Sequence, residues 1–138
     1  VKYAVTKMDS LGMLDNSVVF YGSEQSAGNA HCCVSMPAMT WGSLGGAIKT
    51  GYYMDYRLKP FKYYAGRSDI FPAFGNQNYN QLLTTLMRGL GLPASDYLSY
   101  GDGGGFGSLT KSTMEYLGTE YDGMEGKRNN TLPFISNI

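Results

Sequence analysis

Two side chains in this sequence combine donor types that suit a divalent cation, and both lie in one polar, small-residue stretch. They are Glu24 and His31 of Gly22-Ser23-Glu24-Gln25-Ser26-Ala27-Gly28-Asn29-Ala30-His31. A carboxylate and an imidazole placed in this way supply two ligands to one ion such as Zn, Mn or Ca. They do not supply three or four. His31 is the only histidine of the chain, so the rest of a coordination shell falls to residues outside this chain. A solvated or structural histidine is the plainer reading of the same residue, and both stay open. Nucleophilic catalysis finds less support, because no Gly-x-Ser-x-Gly elbow is present. The glycine-rich run Gly101-Asp102-Gly103-Gly104-Gly105-Phe106-Gly107 lacks both the Gly-x-Gly-x-x-Gly spacing and a Walker lysine, which argues against a phosphate cradle.

The only cysteines, Cys32 and Cys33, are adjacent. A bridge between neighbours is strained, and the Cys-x-x-Cys spacing that wraps one metal ion is absent. Two small buried residues, or pairing with cysteines elsewhere in an oxidising compartment, are the remaining readings.

Positioning these groups falls to a small number of elements. Val1, Val5 and Met8 share one helical face, as in the end of a helix. After the turn at Leu14-Asp15-Asn16, the run Ser17-Val18-Val19-Phe20-Tyr21 is nearly continuously apolar. Such a run predicts a strand buried on both faces, as in a parallel sheet covered by helices. The Glu24–His31 stretch then lies at the strand's C-terminal end, where ligands gather in open α/β sheets. A second strand is expected at Ala38-Met39-Thr40-Trp41, followed by a turn at Gly42-Ser43-Leu44-Gly45-Gly46 and a hairpin or extended arm over residues 47–56. Residues 57–75 carry many aromatics without a clean period and read as an ordered loop packed on something. The best helix comes next. Asn76 or Asn78 caps it, Tyr79, Leu82, Leu83, Leu86, Met87 and Leu90 form its stripe, and Gly89, Gly91 and Pro93 stop it. The expected organisation is residues 1–110 as the C-terminal portion of an α/β domain and residues 111–138 as an irregular tail, reaching in one reading onto a neighbouring subunit.

Glycine accounts for 19 and tyrosine for 12 of the 138 residues, and only 16% are charged. Glycine is about twice its usual share of roughly 7%. Low charge with abundant tyrosine suits a surface partly covered by other protein. Basic and acidic residues balance at 11 each, which leaves no cationic stripe for a nucleic-acid backbone. No apolar run approaches the about 20 residues of a membrane-spanning helix. The chain opens at Val1 without a leader-like segment, which leaves two readings open, a precursor cut upstream or a part of a longer chain. A sheet of two or three strands with one long helix leaves an apolar face that must find a partner, so the fold is expected to be incomplete on its own.

Several spaced segments resemble a known family in the same order. They are Leu14 to Glu24, Gly28-Asn29-Ala30-His31, Met36-Pro37-Ala38, Gly45 to Gly51, Tyr79-Asn80-Gln81-Leu82-Leu83 to Gly91-Leu92-Pro93, and Tyr100-Gly101-Asp102. Together, over roughly residues 11–109, they look like the C-terminal part of an exported bacterial family classed as a domain of unknown function. That family in turn resembles the alkaline phosphatase and sulfatase superfamily. The resemblance implies a doubly wound α/β sheet with a two-metal site at the strand ends, and a secreted, periplasmic or cell-surface location. It implies Glu24 in the place of a metal-binding Asp and His31 in that of a later His. Gln25 stands where the superfamily has its first His, and the nucleophile and first Asp would lie upstream of this segment.

Three functions are expected on these grounds. The first is an exported structural or assembly subunit on an alkaline-phosphatase-like scaffold, whose partners are the rest of the parent polypeptide or other subunits. The second is a metal-dependent phosphate- or sulfate-ester hydrolase with its nucleophile upstream. The third is a carbohydrate-binding surface that uses Trp41 and exposed tyrosines such as Tyr63 and Tyr64.

Overall fold

The computed structural model describes residues 1–23, 36–57, 77–97 and 130–138. The Glu24–His31 stretch, the cysteine pair, the aromatic residues 58–75 and the glycine-rich run at 101–107 lie outside the described residues.

Helix α2, Tyr79–Gly89, organises the packing. Asn78 precedes it with extended backbone, and the Gln81 side-chain oxygen accepts the Asn78 N–H at 3.0 Å. This is one arm of a capping box, and it satisfies a donor that the first turn leaves unpaired. At the other end, Leu92 N–H donates to Met87 O at 3.1 Å and Gly91 N–H to Arg88 O at 2.9 Å. With Gly91 at φ +79°, this is a Schellman closure, and Pro93 prevents continuation. The start and stop expected from the sequence are both present.

The stripe is only partly the buried one. Leu82 and Leu86 join Leu44, Ile48 and Leu132 in the apolar core, with Val18, Ala47, Tyr56, Tyr79 and Ile135 packed around it. Leu90 is exposed, while the most deeply buried side chains of the helix are Gln81, Thr84 and Thr85. A polar face is buried because residues 130–132 lie along it and supply partners. Thr85 Oγ1 donates to Gln81 O at 2.7 Å and accepts the Leu132 N–H at 2.7 Å, and Gln81 Nε2 reaches Thr131 O at 3.4 Å. Replacing Thr85 with valine keeps the volume but strands the Leu132 N–H in the interior. It is expected to cost about 2 kcal/mol, read from the urea midpoint, whereas Thr85→Ser is expected to retain most of the stability. A valine variant as stable as the parent would show that the hydroxyl bond contributes nothing.

Strands β1, Val19–Gly22, and β2, Ala38–Trp41, pair antiparallel with Val19 opposite Trp41 and Tyr21 opposite Met39. The expectation of a parallel strand buried on both faces is corrected here, since Phe20 and Tyr21 are both exposed. A short apolar run does not reveal its pairing direction, and an antiparallel neighbour needs no crossover helix. The architecture of the described residues is mixed α/β, with two α-helices and a two-stranded antiparallel sheet. One sheet face turns Phe20 toward α2, where its ring meets Tyr79 edge-on at 6.3 Å. The other face carries Val19, Tyr21, Met39 and Trp41 by the two-residue alternation.

Helix α1, Lys2–Ser10, forms where the Val1, Val5, Met8 spacing suggested, but none of its residues is fully buried. A single 3-10 turn, Leu14–Asn16, comes after it. It is stitched to the turn after β2, with Gly45 N–H donating to Asp15 O at 2.7 Å, Leu44 N–H to Ser17 O at 3.2 Å and Ser43 Oγ to Asp15 O at 2.9 Å.

Among the described residues, the arm after that turn forms no hairpin. It pairs instead with residues 133–138. Ile48 bridges Ser136, Lys49 N–H donates to Ile135 O at 2.7 Å, and Asn137 N–H donates to Ala47 O at 2.9 Å. This described part of the tail therefore returns to the core of its own chain through Leu132 and Ile135. It is irregular apart from that bridge. Gly89 of α2 lets the helix end approach the turn and the start of this arm, because a Cβ there would sit 2.8 Å from Leu44 Cδ1 and 3.3 Å from Ala47 Cβ.

Candidate functional site

The expected metal ligands Glu24 and His31 lie outside the described residues. Among the described residues, no group of three or more His, Cys, Asp or Glu side chains converges. Arg57 pairs with Asp55 at 2.7 Å, but the two residues are two apart on the exposed arm, and the geometry is that of a local surface contact.

What the fold does bring together is aromatic. Trp41 ends β2, and Gly42, at φ +90°, turns the chain away immediately after it. Trp41 is half-buried between two hollows. On one side Val1 and, from α1, Lys2, Val5 and Thr6 line a hollow of about 240 Å³. On the other, an open depression of about 540 Å³ is lined by Trp41 together with Asp15, Thr40, Thr50, Tyr52 and Tyr53, among others. Asp15 comes from the 3-10 turn, Thr40 from β2, and Thr50, Tyr52 and Tyr53 from the arm that pairs with the C-terminal segment. Three separate pieces of chain thus meet at one surface.

No family model matches the chain, and neither a curated protein nor a solved structure shows significant similarity to it. The reading of this surface therefore rests on its own chemistry.

Tyr52 is held from behind. Its ring meets Phe134 edge-on at 5.6 Å and 83°, and Lys49 Nζ lies 5.1 Å from the centroid of the same Phe134 ring. Phe134 has φ +75°, a backbone region that a bulky residue enters only at a cost of about 1 kcal/mol or more. The surrounding turn holds that conformation, and its result is a ring placed against Tyr52. Tyr53 next to it is 88% exposed.

Further along the arm, Tyr56 donates its hydroxyl to Pro133 O at 2.6 Å, and burial raises its phenol above the ordinary tyrosine value. Tyr79 is raised by burial as well. Both raised phenols stay protonated at neutral pH, so they act as packing groups with a polar tip and not as bases.

Sequence reasoning points to Trp41 and exposed tyrosines as a sugar-type surface. The tyrosines it selects, Tyr63 and Tyr64, lie outside the described residues, and it misses Tyr52 and Tyr53. The Tyr52-Tyr53 dipeptide is visible in the sequence as a doubled aromatic following the Gly51 turn, but its proximity to Trp41 is not.

Proposed function

We propose that this chain is an exported structural or assembly subunit on an alkaline-phosphatase-like scaffold, joining the rest of the parent polypeptide or other subunits through its β-ribbon. The exported location and the scaffold rest on the family resemblance of segments such as Leu14 to Glu24 and Gly45 to Gly51. The assembly role rests on one observation: the cross-strand pair Tyr21 and Met39 is 55% and 54% exposed on a sheet that has two strands among the described residues. Two strands are marginal on their own and gain stability from further strands or a covering layer. An exposed aromatic–methionine pair is the kind of surface that association buries. No helix of the described residues is long and apolar enough to cross a membrane, and the balanced charge gives nucleic acid no footing.

Light scattering on the purified chain tests this reading. The expected result is a species heavier than the 15.1 kDa chain at micromolar concentration, returned to monomer by Met39→Lys, which places a charge on the open face. A Met39→Lys variant that associates as strongly as the parent chain would overturn the assignment to this face. Metal analysis separates the hydrolase alternative. Stoichiometric Zn, Mn or Ca that is lost in Glu24→Gln or His31→Ala would move the reading to a metal-dependent ester hydrolase.

A further inference from the structure

We propose that the depression lined by Trp41, Tyr52 and Tyr53 binds a neutral oligosaccharide. Three features carry this. First, the lining is of mixed character. Aromatic rings offer flat apolar faces on which the C–H face of a pyranose packs, while Asp15 and Thr50 bring hydrogen-bonding side chains to the same lining. A sugar ring needs both at once, because one of its faces is apolar and its edge is a ring of hydroxyls.

Second, the polar groups discriminate between ligands. The Asp15 carboxylate only accepts hydrogen bonds, so its partner must donate. Saccharide hydroxyls do so. A proline-rich peptide, the other common occupant of a Trp- and Tyr-lined groove, presents mainly acceptor carbonyls and would desolvate that carboxylate without a donor. Asp15 likewise disfavours an anionic ligand, and among the described residues no Lys or Arg lines the depression.

Third, the platform is set before any ligand arrives. Tyr52 is braced by Phe134, whose own left-handed backbone conformation aims its ring there, and Lys49 lies over the same ring. That edge contact limits the side-chain freedom Tyr52 has to lose on binding, although the residue is 61% exposed. Tyr53, by contrast, buries little in the free protein. Its contribution is therefore to the ligand and not to the fold.

Trp41 is the only tryptophan in the chain, so its fluorescence reports on its own surroundings, and the Tyr53 and Asp15 variants assign a response to this depression rather than to the hollow beside α1. The test titrates the full chain with maltotriose, cellotriose and chitotriose and follows Trp41 emission. The expected result is a saturable shift with at least one of them, at a Kd of about 1 mM or tighter. Tyr53→Ala is expected to weaken that Kd about 5-fold or more, and Asp15→Asn about 10-fold. Tyr3→Ala, equally exposed but on α1, should leave it unchanged. Absence of a saturable shift up to about 10 mM with all three would overturn the proposal. So would a shift undiminished in both Tyr53→Ala and Asp15→Asn, or a response to a proline-rich peptide and to none of the sugars.

Discussion

Replacing Gly42 with alanine is expected to destabilise the protein by about 4 kcal/mol or more, a large share of the about 5–15 kcal/mol that holds a domain together. Two causes add at this position. Gly42 has φ +90°, which a side chain adopts only with strain. Its missing Cβ also faces the carbonyl oxygens of Ser17 and Leu14, and a methyl group there would overlap both. These are backbone atoms, and the Ser17 oxygen already accepts the Leu44 N–H, so neither can move aside without breaking the seam between the 3-10 turn and the turn after β2. Gly46 provides the comparison, since it has the same φ of +90° but open space where its Cβ would stand. Alanine there is expected to cost only the backbone strain, about 1–2 kcal/mol. Urea unfolding of the two variants separates clash from strain. Equal losses would show that the close approach at Gly42 does not exist.

Ile48→Ala is expected to cost about 3 kcal/mol, within the usual range for truncating a buried aliphatic side chain. Ile48 is 2% exposed and sits where the arm, α2 and the C-terminal segment meet. Its backbone bridges Ser136, so the side chain's cavity would open beside the strand-like pairing that holds residues 133–138. Ile138→Ala, at an exposed site on the same segment, is expected to stay within about 0.5 kcal/mol. Thermal melts of both variants give the comparison. An Ile48 variant as stable as the Ile138 variant would mean that the C-terminal segment does not pack on the arm. Truncating Ile48 also bears on the depression at Trp41, because the same segment carries Phe134, whose ring meets Tyr52.

How far the site could be read in advance differs from residue to residue. Glu24 and His31 draw attention through donor type and spacing, which suggest a metal but carry no distances. Trp41 is legible as a strand residue with a large aromatic face. The remaining lining is not. Asp15 precedes Trp41 in the sequence by most of the β-ribbon, and Tyr52 and Tyr53 come after it beyond two turns. Their meeting depends on Gly42 reversing the chain and on the C-terminal segment holding the arm in place.

The same division runs through the fold. Helix α2 is legible from its own residues, since Asn78, Gln81, Gly91 and Pro93 act on backbone groups only a few positions away. The turn at Gly42–Gly46 and the strand at Ala38–Trp41 are legible for the same reason, as short-range preferences of φ and of side-chain alternation. Tertiary contacts alone decide that β1 meets β2 antiparallel, that Thr84 and Thr85 are buried while Leu90 is not, and that residues 130–138 close the core. Each of these depends on which distant backbone groups need a partner. Leu132 N–H finds Thr85, and Asn137 N–H finds Ala47, pairings across long stretches of chain that no periodicity in the sequence encodes.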